Sequence, residues 1–197
     1  MKIAHILLSS LIFLASSSPL YAAARSWEVD KAHSGFYFQI KHIFSKVHGF
    51  FNDFDVKMQF DKDNPAASSM VFTIMVDSID TNIEQRNTHL LSPDFFEAEK
   101  YPTMKFTSTS ISKIGENTYE VTGKFEVKGA TYDLTFPLTY EGMREHPMVQ
   151  GKEVIGFNGG LTIDRLAYKV GNGQFVKAGI VGKDVDIAIS LELLADQ

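Results

Sequence analysis

Apolar and polar side chains alternate along most of the chain from Trp27 onward. Because successive side chains of a β-strand point to opposite faces, this alternation predicts strands that each bury one face. The runs that show it begin near Phe36, Phe54, Phe72, Met104, Tyr119, Leu134, Ile155 and Val185. The pattern therefore predicts about eight strands that share one apolar core.

Short polar and glycine-rich spacers separate these runs, for example "DKDNPAA" at 61–67, "GEN" at 115–117 and "GNG" at 171–173. Such residues form tight turns, and short connections place consecutive strands side by side and antiparallel. The chain is therefore predicted to be all-β, either an up-and-down barrel or a sandwich. We favour a barrel because closure leaves no unpaired strand edge.

A transmembrane barrel is the alternative that the same alternation allows, with the apolar faces turned outward to lipid. An eight-stranded barrel leaves a lumen only just wide enough for side chains, which suits an aqueous interior poorly. The phenylalanines are also spread along the strands and are not confined to girdles at their ends. The pattern thus favours apolar side chains inside and charged side chains outside.

The alternation stops in the segment 80–106, "DTNIEQRNTHLLSPDFFEAEKYPTMKF". Thr81 and Glu84 have the spacing of a capping box, which predicts a helix that begins near Asn82. This helix would be a short insertion between two strands of the barrel.

The predicted helix places Arg86 and His89 three residues apart, as neighbours on its flank. The Ser-Pro pair at 92–93 predicts a second short turn, which carries Phe95 and Phe96. An amphipathic segment between two barrel strands is expected to lie over one end of the barrel. It is either a plug that completes the core or a lid over a ligand cavity, since eight strands can enclose packed side chains or one small ligand.

Residues 1–24 have the composition of a secretory signal peptide: Lys2, the apolar run "IAHILLSSLIFLA", and the small residues 22–24. The apolar run is shorter than the ~20 residues that a membrane-spanning helix needs. Residues 25–197 are then one domain. The chain has no cysteine, which excludes a disulfide framework and a lipoprotein anchor. We therefore expect a periplasmic protein without stable membrane insertion.

Charge and residue spacing exclude several other classes. The net charge of −5 argues against a nucleic-acid partner, which requires a basic surface. Histidines do not form an H-x-x-x-H pair, so no metal is predicted, although His33, His42 and His89 remain an alternative metal set assembled by folding. No nucleophile motif or phosphate-binding loop occurs, and no catalytic residue is predicted. The oligomeric state is left open, a homodimer included.

Four segments carry a family resemblance: 29–61 with "DKAHS" and "KH", 79–111 with "IDT", "RNTHL", "DFF" and "YP", 119–138 with "TGKFEVKGAT", and 156–165. Together and in this order they resemble the YceI-like family, polyisoprenoid-binding proteins of the bacterial periplasm. Two departures stand out. Asn87 replaces the usual aspartate after the arginine, and "RLAYKVGNGQF" replaces the usual D-F-G after Asp164-Arg165.

The resemblance implies a lipocalin-like antiparallel eight-stranded barrel with an elongated apolar cavity for an isoprenoid chain, such as a prenyl quinone or a polyprenyl species. It implies no cofactor other than this bound lipid and no enzymatic reaction. Arg86 and His89 are expected as polar groups of the lid or mouth. The residues that we expect to contact the lipid are Phe36, Phe38, Ile40, Phe54, Phe72, Ile74, Phe95, Phe96, Phe106, Phe125, Phe136 and Phe157. Capture of other lipophilic small molecules, a histidine-dependent metal or redox role, and a purely structural barrel are the alternatives.

Overall fold

The computed structural model describes residues 24–197, so residues 1–23 of the predicted leader lie outside the described part of the chain. One antiparallel sheet of eleven strands contains almost all of the regular structure. The strands are β1 Arg25–Val29, β2 Gly35–His42, β3 Ser45–Phe51, β4 Phe54–Phe60, β5 Ser69–Met75, β6 Ile79–Asp80, β7 Thr103–Lys113, β8 Thr118–Val127, β9 Ala130–Glu145, β10 Lys152–Asp164 and β11 Val181–Asp196. Two α-helices, α1 Glu84–Leu91 and α2 Gln174–Lys177, accompany them.

Eight of these strands close into a barrel. Their order around the ring is β1-β4-β5-β7-β8-β9-β10-β11, and β11 pairs with β1 to complete it. The closing pairs are Glu28 with Leu194 and Val29 with Leu193. The predicted antiparallel eight-stranded barrel is confirmed.

The remaining strands, β2, β3 and β6, extend the sheet from the edge of β11 at one end of the barrel. The first part of β11 pairs with β2, and its last residues pair with β1. The strands β1 and β2 therefore lie one after the other along the same edge of β11. The sheet ends at β6, whereas β7 pairs with β5. The segment 81–102, which contains α1, connects β6 to β7 at this end.

The opposite end of the barrel is filled with aromatic side chains. Phe60 makes edge contacts with Tyr119 and Phe157, whose ring centroids lie 5.2 Å and 4.9 Å away, and it stacks on Tyr140 at 5.8 Å. Tyr119 and Phe157 are each 1% exposed. This dense packing closes the barrel at that end.

The capping box was wrong as a predictor of where α1 begins. The helix starts at Glu84, its N-cap position is Ile83, and no side chain caps it. Asn82 has a φ of 62°, a left-handed conformation that cannot belong to a helix. The hydroxyl of Thr81 is engaged elsewhere, because it donates to Oδ1 of Asn87 at 2.6 Å.

Neither helix within residues 24–197 is long and apolar enough to cross a membrane.

Candidate functional site

A cavity of about 360 Å³ lies inside the barrel at the end that carries α1 and α2. Most of the side chains that line it are aliphatic or aromatic. They come from six of the eight strands of the ring, from β2, β3 and β6, and from both helical connections. Its volume falls within the range of small-molecule sites in proteins. The segment with α1 therefore forms part of the wall of a cavity and does not fill it.

Alternate residues of β2 form one side of this cavity: Phe36, Phe38, Ile40 and His42. They follow one another along the strand, as the period of two requires. The first and last are six positions apart along the strand, which corresponds to roughly 20 Å at about 3.3 Å per residue. The cavity is therefore long enough to take an extended chain.

The backbone of β3 leaves room for one of these side chains. Phe38 is paired across the strands with Gly49. A Cβ atom at Gly49 would collide with the tip of the Phe38 ring and would lie 2.9 Å from the carbonyl oxygen of Asp80. Glycine at this position lets the ring lie flat across β3 and form part of the cavity wall.

The start of α1 is tied to the end of β6 by hydrogen bonds of Arg86 and Asn87. Nε of Arg86 donates to Oγ1 of Thr81 at 2.8 Å, and Nη2 donates to the Thr81 carbonyl oxygen at 2.6 Å. Oδ1 of Asn87 accepts from the backbone N–H of Thr81 at 2.9 Å, and its amide group donates to Asp80 at 3.3 Å. Thr81 is 2% exposed and lies in the cavity wall.

The turn after α1 carries the two phenylalanines that the sequence singled out. Phe95 stacks on Phe175 with a centroid distance of 5.8 Å and meets the His89 ring edge-on at 5.1 Å. Phe96 contacts the Phe51 ring edge-on at 6.3 Å. Nζ of Lys128 donates to the carbonyl oxygen of Phe95 at 2.6 Å and so fastens this turn to the β8–β9 connection.

The connection between β10 and β11 folds around a buried arginine. Nε of Arg165 donates to the Gly182 carbonyl oxygen at 2.9 Å, and Nη1 donates to the Val170 carbonyl oxygen at 2.7 Å. Gly171 has a φ of 93°, and a Cβ atom there would collide with the guanidinium. Glycine at 171 therefore allows both the left-handed turn and the close approach of the loop to Arg165.

Most of the predicted ligand-contacting residues meet at this cavity. Those that line it are Phe36, Phe38, Ile40, Phe72, Ile74, Phe95, Phe96, Phe125 and Phe136. Arg86 and His89, predicted as polar groups of the lid or mouth, line it as well. His89 is additionally hydrogen-bonded through Nε2 to Asp94 at 3.1 Å.

Three predicted residues, Phe54, Phe106 and Phe157, are not part of the lining and belong to the packed core. Phe54 packs behind Phe36 with a centroid distance of 5.2 Å, and Phe106 stacks behind Phe72 at 5.1 Å. Phe157 lies with the aromatic side chains of the closed end. Alternation indicates which face of a strand points inward, but not whether that position faces the cavity or the filled part of the barrel.

The β10–β11 connection also contributes to the lining, which the sequence pattern did not predict. Arg165, Tyr168, Val170 and Phe175 all line the cavity. The sequence did contain one signal for these residues, the segment "RLAYKVGNGQF" that departs from the family's usual D-F-G. This segment places an arginine and two aromatic residues in a loop. An irregular loop has no periodicity, so its inward residues cannot be selected by pattern.

The three histidines considered as a metal set do not come together. Among the described residues, one group of three potential ligands has its atoms within 4.8 Å of one another, namely Asp30, His33 and Glu192. The hydrogen bond with Asp30, 2.8 Å long, raises the pKa of His33 above its ordinary value. His42 and His89 lie instead in the cavity wall.

Comparison with known proteins places this architecture in a family. The family described as YceI-like domain matches residues 27–193. A UPF0312 protein of Pectobacterium atrosepticum is 32% identical over 186 residues, which cover 94% of this chain and 93% of that protein.

Solved structures show the same barrel. BcnA of Burkholderia cenocepacia aligns with a TM-score of 0.73 at 32% identity, over 85% of this chain and 99% of BcnA. A polyisoprenoid binding domain from Saccharophagus degradans, implicated in plant cell wall breakdown, aligns with a TM-score of 0.62 at 15% identity, over 86% and 98% of the two chains. At 15% identity, the similarity to the Saccharophagus degradans domain concerns the fold alone. The chain belongs to the YceI-like family.

Proposed function

We propose that this protein is exported to the periplasm and holds a polyisoprenoid lipid, such as a prenyl quinone or a polyprenyl species, in the barrel cavity. The observation that carries the proposal is the cavity itself: a long, mostly apolar space enclosed by a closed barrel and covered by α1. A barrel that served only as a scaffold would gain stability by filling this space with side chains.

The physical basis of binding is the removal of apolar surface from water. Each methylene group that passes from water into an apolar interior contributes about 0.8 kcal/mol. A prenyl chain also brings its methyl branches and rigid double bonds against aromatic walls such as Phe36 and Phe72. Affinity is therefore expected to depend on the length of the chain.

The proposal agrees with what is known of similar folds. The structural neighbour from Saccharophagus degradans is described as a polyisoprenoid binding domain, and it shares the barrel. YceI-like domains are binding domains. We accordingly propose that this protein carries or buffers its lipid and does not transform it.

Titration with prenyl alcohols of increasing length tests the proposal. Affinity should rise with each added isoprene unit and reach a plateau when the cavity is full. A saturated alcohol of matched carbon number serves as a control for simple hydrophobicity. Failure of every chain length to bind, or an affinity independent of length, would contradict the proposed function.

A further inference from the structure

One nitrogen atom in the cavity wall has no hydrogen-bond acceptor. Arg165 lines the cavity and is 4% exposed. Its Nε and Nη1 are bonded to the carbonyl oxygens of Gly182 and Val170. Nη2 is buried too, and it has no hydrogen-bond partner within the described part of the chain. A charged donor therefore stands beside an apolar cavity with nothing to donate to.

A buried guanidinium in this state is costly. Arginine does not lose its proton in proteins, so it cannot escape the cost by becoming neutral. The carboxylate of the neighbouring Asp164 accepts from Lys183 at 3.1 Å and makes no ion pair with Arg165. Burial lowers the pKa of Arg165 from its ordinary value, and only the charge of Asp164 opposes this shift. Buried charges are normally paired, which suggests that a bound ligand supplies the partner.

The other ionisable groups of the lining have the same sign or are neutral. Arg86, His42 and His89 join Arg165 in the wall, whereas aspartate and glutamate are absent from the described lining. The cavity is thus apolar with a positive bias. The Phe95 ring lies over the guanidinium, 5.6 Å from Cζ to the ring centroid. Because Nη2 is buried, a group that reaches it must displace a neighbouring side chain.

We infer that Arg165 binds the anionic head group of the lipid through Nη2, while the chain extends along the apolar part of the cavity. The head group is a terminal phosphate or a carboxylate, because both accept charge-assisted hydrogen bonds from a guanidinium. This inference rests on the proposed function and narrows it from prenylated lipids in general to those that end in an anion.

Three probes with the same geranylgeranyl chain test the inference: the monophosphate, the carboxylic acid and the alcohol. The wild type should bind at least one of the anionic probes about 10-fold to 100-fold more tightly than the alcohol. The probe with the larger gain identifies the head group as phosphate or carboxylate. Arg165→Gln should lose this preference and still bind the alcohol.

Arg25→Gln is the matched control, because Arg25 pairs with Glu153 at the closed end of the barrel, away from the cavity lining. It should keep the preference. Equal binding of all three probes by the wild type would overturn the head-group assignment and leave the proposed function standing. This comparison does not depend on the folding of any variant. A preference that survives Arg165→Gln would also overturn it. Binding of none of the probes would overturn the proposed function and this inference with it.

The tip of the β2–β3 hairpin, at the same end of the barrel as the cavity, presents apolar side chains to solvent. Phe44 has a relative exposure of 102%, and Ile43 and Ile180 are 44% and 37% exposed. The backbone N–H of Ile43 donates to the carbonyl oxygen of Ile180 at 2.9 Å, so these residues form one apolar tip. Ile180 also lines the cavity, which connects the tip to the cavity wall.

Lysines flank the residues of this tip along the chain, although the chain as a whole is acidic. Lys46 is paired with Asp186, whereas Lys41 and Lys177 have no carboxylate partner among the described residues. Exposed apolar residues flanked by lysines are typical of segments that insert into the interface of an anionic bilayer. We propose that the apolar tip docks on an anionic membrane surface, where the cavity can exchange its lipid.

Flotation with phosphatidylcholine vesicles, with and without phosphatidylglycerol, tests this docking. The wild type should bind the vesicles that contain phosphatidylglycerol, and Phe44→Ser should reduce the bound fraction several-fold. Met148→Ser is the matched control, because Met148 is 87% exposed in the β9–β10 turn at the opposite end of the barrel. Absence of wild-type binding, or equal loss in both variants, would overturn the proposal.

Discussion

The guanidinium of Arg86 holds Thr81 at both of its oxygen atoms, with Nε 2.8 Å from the hydroxyl oxygen and Nη2 2.6 Å from the carbonyl oxygen. Thr81 immediately follows β6, the last strand of the sheet, and Arg86 lies in the first turns of α1. This pair therefore determines how the helix is placed over the end of the barrel. It gives a physical reason for an arginine where the strand pattern breaks.

Thr81→Val should loosen this attachment. Valine keeps the shape of threonine but leaves Nε of Arg86 without its acceptor and Oδ1 of Asn87 without one of its donors. We expect the free energy of unfolding to fall by about 1–3 kcal/mol, with faster amide exchange in residues 84–91 and faster release of bound lipid. Hydrogen exchange and chemical denaturation measure these effects.

Thr88→Val is the control for that experiment, since Thr88 lies on α1 and is exposed. Its effect on exchange and on lipid release should be small. Similar effects of both variants would contradict the role assigned to the contact between Thr81 and Arg86.

Phe96→Ala and Phe106→Ala separate binding from packing. Phe96 is half-buried and lines the cavity, so its loss should weaken prenyl binding about tenfold, or about 1.4 kcal/mol. Phe106 is fully buried outside the lining, so its loss should lower the free energy of unfolding by about 3–5 kcal/mol. Isothermal titration and urea denaturation of both variants provide the comparison. The account would fail if Phe96→Ala lost stability as heavily as Phe106→Ala and bound lipid normally.

Leu161→Trp should block the cavity without unfolding the barrel. Leu161 lines the cavity from β10, where the larger indole can occupy empty space in place of ligand. We expect prenyl binding to fall by more than about tenfold, while the free energy of unfolding changes by less than about 1.5 kcal/mol. Leu161→Met, which nearly conserves volume, should bind as the wild type does. Undiminished binding by Leu161→Trp would mean that the ligand lies elsewhere.

The loop around Arg165 should contribute to the acid sensitivity of the fold. The hydrogen bond from Lys183, and then that from the backbone N–H of Leu166, lower the pKa of Asp164 below its ordinary value of 3.8. A carboxylate whose pKa is lower in the folded state than in the unfolded state stabilises the fold at pH values above its ordinary pKa. This stabilisation is lost as the pH falls through the lowered pKa. Asp164→Asn should therefore be less stable than the wild type at neutral pH, and the difference should shrink in acid.

Urea denaturation at a series of pH values measures this convergence. Asp55→Asn, on β4, is a suitable control because it changes a carboxylate that has no hydrogen bond among the described residues. A difference between Asp164→Asn and the wild type that stayed constant down to strongly acidic pH would contradict the role assigned to this carboxylate.

Much of the fold was accessible from the sequence because alternation directly reflects which face of a strand is buried. Seven of the eight predicted runs are strands of the ring, and the eighth, near Phe36, is β2, which extends the sheet beside β11. The pattern missed β1 and β3, and also β6, which has only two residues. The first has one buried aromatic residue, Trp27, and the second places Phe50 and Phe51 in succession after Gly49, which hides the alternation.

The candidate site was less accessible, for two physical reasons. Inward-facing phenylalanines look alike in sequence whether they line a cavity, as Phe72 does, or fill the barrel behind it, as Phe106 does. Side chains in irregular segments are placed by specific contacts instead of periodicity. Thr81 matched a capping box but bonds to Asn87 and Arg86, and Arg165 owes its position to carbonyl groups of its own loop and of β11.

The most direct test of the central claim is native mass spectrometry of the protein purified from its own cells, followed by solvent extraction of whatever it carries. The account predicts an added mass that is released by solvent and resolves to a polyisoprenoid lipid. A bare polypeptide that also fails to take up added prenyl lipids would contradict it and would identify the barrel as a structural protein with an empty cavity.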